Sequence, residues 1–320
     1  MARPRFLPDN FTLALLIVIG LASLLPCRGD AAQIFDVVTN IGVALLFFLH
    51  GAKLSREAVI AGLTHWRLHL VVMLCTFALF PLLGLVLKPA LLTVITPDLY
   101  LGVLFLCTLP STVQSSIAFT SMARGNVPAA VCSASASNML GIFLTPMLVG
   151  LIVMPHTGAT ISADSFLKII LQLLLPFVLG QVARRWIGDW VGRHAQLLRP
   201  VDQGSILLVV YTAFSQAVVE GIWQQVPISA LVYLLLVSGV LLALVLLLTT
   251  VLSRRLGFSK EDEITIVFCG SKKSLASGVP IAKVLFSSQA IGMMVLPLML
   301  FHQIQLMVCA VLAQRYARRG

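Results

Sequence analysis

Of the chain's 320 residues 59% are hydrophobic and only 11% charged, with a mean hydropathy of +1.00. A soluble domain carries about a quarter charged residues, so this chain cannot cover itself with a polar surface in water and lipid must be its solvent. Its net charge of +10 does not point to nucleic acid, because arginine and lysine fall in short clusters between apolar runs, the pattern of basic cytoplasmic loops.

A membrane-spanning helix needs about 20 mostly apolar residues. Ten such runs follow one another, at 10–27, 32–50, 68–88, 98–122, 127–154, 166–183, 204–220, 228–252, 263–286 and 289–313. The expected fold is therefore an all-α polytopic membrane protein over 1–320, with no soluble domain. Arg3 and Arg5 ahead of the first run resemble a signal peptide. No small-x-small cleavage site follows and nine more apolar runs do, so the first run reads as a span. Cys75, Cys107, Cys132, Cys269 and Cys309 lie inside apolar runs, which is buried-thiol usage rather than a disulfide or metal framework.

The connections alternate in charge. Arg3, Arg5, Lys53, Arg56, Arg67, Arg124, Arg184, Arg185, Arg193, Arg199, Arg254, Arg255, Lys260, Arg315, Arg318 and Arg319 fall on one side, and Arg28, Lys88, Lys168 and Lys283 on the other. Sixteen against four puts both termini in the cytoplasm, and the expected location is a bacterial inner membrane. The basic segment 184–203 reads as a cytoplasmic linker, either an ordinary loop or an amphipathic helix lying on the inner leaflet. It parts five spans from five, so repeats at about 10–155 and 166–313 would run in opposite orientations, the inverted-repeat plan of many transporters.

Two spans are interrupted near their middles. The fourth reads Pro110-Ser111-Thr112-Val113-Gln114-Ser115-Ser116, and the ninth reads Gly270-Ser271-Lys272-Lys273-Ser274-Leu275-Ala276-Ser277-Gly278-Val279-Pro280. Each occupies the corresponding place in its half of the chain. Proline removes a backbone donor and glycine weakens the helix, and backbone freed in this way is tolerated in a bilayer only inside protein or beside a water-filled cavity. A single proline in a membrane helix is usually a kink. Paired interruptions at matching places mark a binding site.

Lys272 and Lys273 are the most informative residues. A charge so deep in a span costs about 3 kcal/mol or more, yet no carboxylate shares that depth: Asp36, Glu220, Glu261, Asp262 and Glu263 all sit at span ends. Neighbouring residues point about 100° apart on a helix, so both lysines cannot face one spot unless the helix is unwound. One of them can serve to tie down the carbonyl ends of the broken helices, and at least one is expected to meet an anionic substrate or to switch its proton. Gln114, Ser115, Ser116, Ser271 and Ser274 are candidate polar partners, and Ser133 and Ser137 head a polar stripe on the fifth span. Small polar residues there serve helix packing as often as binding. His65 and His69 are four apart but lack carboxylates, so no metal site is expected. The Lys-Lys-Ser run lacks the glycine frame of a phosphate-binding loop, and no hydrolytic motif is present.

These features resemble the bile acid:sodium symporter family, and within it the divergent branch of bacterial members and vertebrate solute carrier family 10 member 7-like ones. Phe47-Phe48-Leu49-His50-Gly51, Phe77-Ala78-Leu79-Phe80-Pro81, Ala123-Arg124-Gly125-Asn126 and the two breaks all fall in family order. The resemblance implies a core of spans 3–5 and 8–10, with spans 4 and 9 crossing at their breaks, and a panel of spans 1, 2, 6 and 7. It also implies organic anions as substrates, carried with sodium. The chain departs from the family at the sodium sites: an acidic residue and a glutamine of the ninth span fall on Phe268 and Lys272, a third-span glutamine on Thr76, and a Ser-Asn pair on Ser115 and Ser116. With no carboxylate left there, sodium would need other ligands, and sodium-independent or proton-linked transport fits. No cofactor is expected. The leading expectation is a secondary active transporter of a small organic anion; an ion channel and a non-transporting membrane regulator are the alternatives.

Overall fold

A computed structural model describes residues 10–53, 65–156, 170–219, 221, 227–286 and 288–318. Among these residues there is no strand. In chain order the helices are α1 (Asn10–Leu24), α2 (Asp30–Lys53), α3 (Trp66–Val86), α4 (Pro97–Thr108), α5 (Gln114–Met122), α6 (Val127–Val153), α7 (Leu175–Arg193), α8 (Ala195–Val219), α9 (Ile228–Arg255), α10 (Lys260–Gly270), α11 (Leu275–Leu285) and α12 (Ser288–Ala317). Among the described residues five, α2, α3, α6, α9 and α12, are long and apolar enough to cross a bilayer.

Exposure runs opposite to that of a water-soluble protein. Val86 and Leu151 are 72% and 71% exposed, whereas Ser111, Gln305, Lys272 and Lys273 are at 0%. Apolar surface outward and polar groups inward is what a hydrocarbon solvent selects. The protein is an all-α polytopic membrane protein. Arg3, Arg5, Arg56, Lys168, Glu220, Arg319 and the opening residues of the sixth apolar run lie outside the described residues.

The contacts divide the chain into two compact units. The first comprises Met1–Leu54, Ile161–Val226 and Val279–Met293, and so holds α1, α2, α7 and α8 together with most of α11 and the start of α12. Its centre is the packing of α2 on α7. A β-carbon on Gly51 would run into the Phe177 carbonyl, and one on Gly180 into the Phe48 carbonyl. Reciprocal glycines thus let the two backbones touch, the usual means of packing helices where lipid removes the hydrophobic drive.

Residues 184–203 form neither a loop nor a separate surface helix. They are the end of α7 and the start of α8, joined at His194. Val191 and Leu198, flanked by Ile187 and Val201, pack on Leu49 and Ala52 of α2, and this apolar face keeps both ends helical. Arg185, Arg193 and Trp186 of the same stretch are exposed, which is what made it read as interfacial.

The second unit comprises Ser55–Thr160, Pro227–Gly278 and Met294–Gly320. Leu68, Val72 and Cys75 of α3, Ala129 and Ala130 of α6, and Ile266 and Cys269 of α10 form one of its cores. Local chemistry sets its helix starts. Thr96 accepts from the Leu99 amide, Asn126 from Ala129 and Ser259 from Asp262, each an N-cap, and Glu261, Asp262 and Glu263 add negative charge where the α10 dipole favours it. Asn126 also donates to Asp262 Oδ1 at 2.9 Å, fixing the start of α6 against that of α10. Buried Glu263 accepts from Arg254 at 3.0 Å, from Tyr316 at 3.0 Å and from Lys260, tying α9, α10 and α12 together.

Candidate functional site

Within the second unit, the interruptions of the fourth and ninth spans meet. α4 stops at Thr108, with Leu109 extended, because a residue before proline is driven out of the helical region. The chain resumes as α5 at Gln114. α10 stops at Gly270, and α11 begins at Leu275 after the irregular residues 272–274. Two half-helix N-termini, at Gln114 and Leu275, therefore border the crossing.

Close approach at the crossing is permitted by missing side chains. A β-carbon on Gly141 of α6 would lie 2.7 Å from Pro110, and one on Gly278 would lie 2.5 Å from Leu109 and 2.6 Å from Leu298.

Many of the carbonyls released by the breaks find donors. Ser111 Oγ donates to Cys269 O at 2.5 Å, Ser116 Oγ to Phe268 O at 3.0 Å and the Ser274 amide to Pro110 O at 2.8 Å. Thr145 Oγ1 donates to Thr108 O at 2.9 Å, and Asn138 Nδ2 to Ser111 O at 2.8 Å. The Ser111 amide donates to Ser137 Oγ at 3.0 Å, and Ser277 Oγ to Asn138 Oδ1 at 2.7 Å. Gln305 of α12 clamps the other side, accepting from the Lys273 amide at 2.9 Å and donating to its carbonyl at 3.0 Å.

Lys273 completes this pattern. Its Nζ donates to Thr76 O at 2.7 Å, Cys107 O at 2.8 Å and Leu109 O at 2.7 Å, and it lies 4.1 Å from the centre of the Phe80 ring. Each acceptor is an orphan for a local reason. Cys107 and Leu109 belong to the unfinished last turn of α4. In α3 the backbone widens into a π-turn over Cys75–Leu79, where the Phe80 amide bonds Cys75 O instead of Thr76 O. The next amide along is that of Pro81, which has no hydrogen. Thr76 O is left open, and the ammonium takes it; the Thr76 hydroxyl meanwhile bonds Val72 O within its own helix.

Lys272 is placed quite differently. Its Nζ has no hydrogen-bond partner among the described residues, although the side chain is fully buried. It sits 3.9 Å from the Phe119 ring centre and 5.6 Å from that of Phe268. Phe268 packs with Ala123, Ile264, Cys309 and Ala313. Among the described residues no ion pair reaches either lysine. Ring faces attract a cation, worth up to about 2 kcal/mol when desolvated, far short of a lost hydration shell. A buried ammonium without partners is a group that either changes its charge or awaits a ligand.

The remaining candidates divide. Ser116, Ser137 and Ser274 are in the crossing itself, and Ser271 is buried in the break of the ninth span. Ser115 is half-buried and bonds Thr112 Oγ1 at 2.7 Å, while Gln114 is exposed. Ser133 pairs with His69 Nδ1 at 2.7 Å, outside the crossing. Asn138 belongs to the polar stripe of the fifth span; Gln305 was not among the candidates, though a carboxamide in mid-span was a signal for it. The carbonyl acceptors of Lys273 carry no signal in side-chain identity. Among the described residues no cluster of three or more His, Cys, Asp or Glu has metal-ligand geometry.

The family resemblance extends along the whole chain. A profile of the SBF-like CPA transporter family matches residues 9–318. The Pseudomonas aeruginosa protein PA2026 is 70% identical over 319 residues, covering 100% of this chain and 96% of its own length. A protein of Escherichia coli K12 provisionally named symporter YfeH is 61% identical, covering 97% of this chain and 93% of its own. Sodium/bile acid cotransporter 7 of Rattus norvegicus is 29% identical, with 96% and 92% covered. The chain thus belongs to the SBF-like CPA transporter family, as an integral membrane transport protein rather than an enzyme.

Proposed function

We propose that the protein is a secondary active transporter that carries a small organic anion across a bacterial inner membrane by alternating access. Its ten spans would form two inverted five-span repeats, with both termini cytoplasmic. The paired breaks support this plan. So does the division of contacts, which groups the four expected panel helices α1, α2, α7 and α8 apart from α3–α6, α9 and α10, although residues 279–293 of α11 and α12 group with the former. In this reading one unit moves against the other during the cycle.

The observation that carries the proposal is Lys272: an ammonium at a helix break, buried, with no carboxylate or hydrogen-bond acceptor against it among the described residues. Lys273 has its three hydrogen bonds satisfied by backbone carbonyls and holds the break in shape. Lys272 is the charge left over. It would meet the anion, or lose and regain a proton, once the conformational cycle opens its apolar cage. Gln114, Ser115, Ser271 and Ser274, near the two half-helix N-termini, are the polar groups that would line the path, with Thr76, Ser116 and Ser137 holding the frame and Ser133 more distant.

Sodium is the family's coupling ion by resemblance and by the name of the rat relative. A hard cation takes oxygen ligands. The two ninth-span positions in question hold an aromatic ring, Phe268, and an ammonium, Lys272, which do not fit it, and no step is assigned to sodium.

A thermal-shift screen of purified protein against organic anions supplies the test ligands. In proteoliposomes, uptake of a stabilising anion is expected to proceed without sodium, to respond to an imposed pH gradient and to be lost in Lys272→Met. Sodium-dependent uptake that Lys272→Met leaves intact would overturn the proposal.

A further inference from the structure

The first unit holds a cavity of about 320 Å³ with a polar lining of Asp36 and Asn40 of α2, Thr212 and Gln216 of α8, Lys283 of α11, and Gln172 just ahead of α7. This is an unusual concentration of amide, hydroxyl and charged groups for a unit whose outer faces are apolar. Lys283 Nζ donates to Asp36 Oδ1 at 2.8 Å, and Asn40 Nδ2 donates to Asp36 Oδ2 at 3.1 Å. Both carboxylate oxygens are thus held by donors of the cavity wall.

The two partners of the ion pair are unequal. The Lys283 side chain is 11% exposed and that of Asp36 is 59% exposed. The cation is fixed in the wall, while the carboxylate stands on its open side and can turn to water. An exposed pair of this kind is weak. A ligand carboxylate entering the cavity would find two converging donors already spaced to bind it, and a displaced Asp36 would lose little.

We propose that this cavity is a recognition site for a small polyhydroxy carboxylate, such as a sugar acid, whose anionic group replaces Asp36 on Lys283 and Asn40 while its hydroxyls bond Gln172, Thr212 and Gln216. The amide and hydroxyl groups of the lining suit a hydroxylated body, with Ala213, Val284, Phe286 and Ile291 available to its carbon chain. The site deepens the anion-carrier reading, and rests on it only for what becomes of the bound anion.

The test uses the full chain in detergent and three open-chain probes of matched size: gluconate (anionic), sorbitol (neutral) and N-methylglucamine (cationic). Apparent affinities are read from ligand-dependent shifts in unfolding temperature. Gluconate alone is expected to bind. Lys283→Gln weakens it at least about ten-fold, as loss of a buried charge partner does, and Asp36→Asn strengthens it about two- to five-fold by removing the competitor. No binding of gluconate by wild type, equal binding of sorbitol, or undiminished binding by Lys283→Gln would overturn the site, and so would weakening by Asp36→Asn. The probe series on wild type decides the charge question even if a variant does not fold. Gluconate binding that depends on Lys283 but not on Lys272, with no flux of any anion, would count against the carrier mechanism and leave the site standing; anion flux that ignores Lys283 would do the reverse.

Discussion

Lys272 and Lys273 are chemically identical neighbours whose substitutions should have opposite effects on stability. Lys273→Met leaves three buried carbonyls without a donor, and each orphaned group costs about 1–3 kcal/mol. A large loss of thermal stability is expected, visible as poor recovery of monodisperse protein. Lys272→Met removes an ammonium that bonds nothing and puts a side chain of similar volume among Phe119, Phe268 and Cys309. Replacing a buried charge by a packed apolar group is often neutral or stabilising, so its unfolding temperature should hold or rise while transport is lost. An equal fall in stability for both variants would show that the two sites are alike after all. The sequence revealed that two charges lie in mid-span without a carboxylate. It could not say which was bonded, because the acceptors are backbone oxygens 197, 166 and 164 residues away from Lys273.

At the scale of elements, both breaks were legible because proline and glycine act on their immediate neighbours. Pro110 stops α4, and the Gly270–Gly278 stretch separates α10 from α11. The π-turn in α3 was not legible: Pro81 was visible, but whether a proline kinks a helix or widens it upstream depends on who takes the freed carbonyl. That segment 184–203 is helical and not a loop was left open by the sequence for a related reason. Its polar face is obvious in sequence, whereas the narrow apolar face through Val191 and Leu198 matters only because α2 lies against it. Asn126 allows an element-level prediction. It caps α6 and bonds Asp262 at the start of α10, so Asn126→Ala should lower stability by about 1–2 kcal/mol, as loss of a cap does, with transport retained. Thermal unfolding and uptake measured on the same preparation check both parts.

For the whole molecule, the sixteen-to-four distribution of loop cations predicts topology. In a background lacking native cysteines, a cysteine replacing Arg28 should react with a membrane-impermeant maleimide from outside. One replacing Arg193 should react only after permeabilisation. Labelling of both from one side would break the expected arrangement of spans. Composition alone determined that lipid is the solvent, and hydropathy with proline and glycine placement determined where helices run and where two of them break, because these properties act over a turn or two of chain. Only the tertiary structure decided that Lys273 is tied to three carbonyls, that Lys272 faces aromatic rings, and that Asp36 and Lys283, 247 residues apart, share a cavity. Such pairings depend on which distant backbones come close, and no local pattern in the sequence records that.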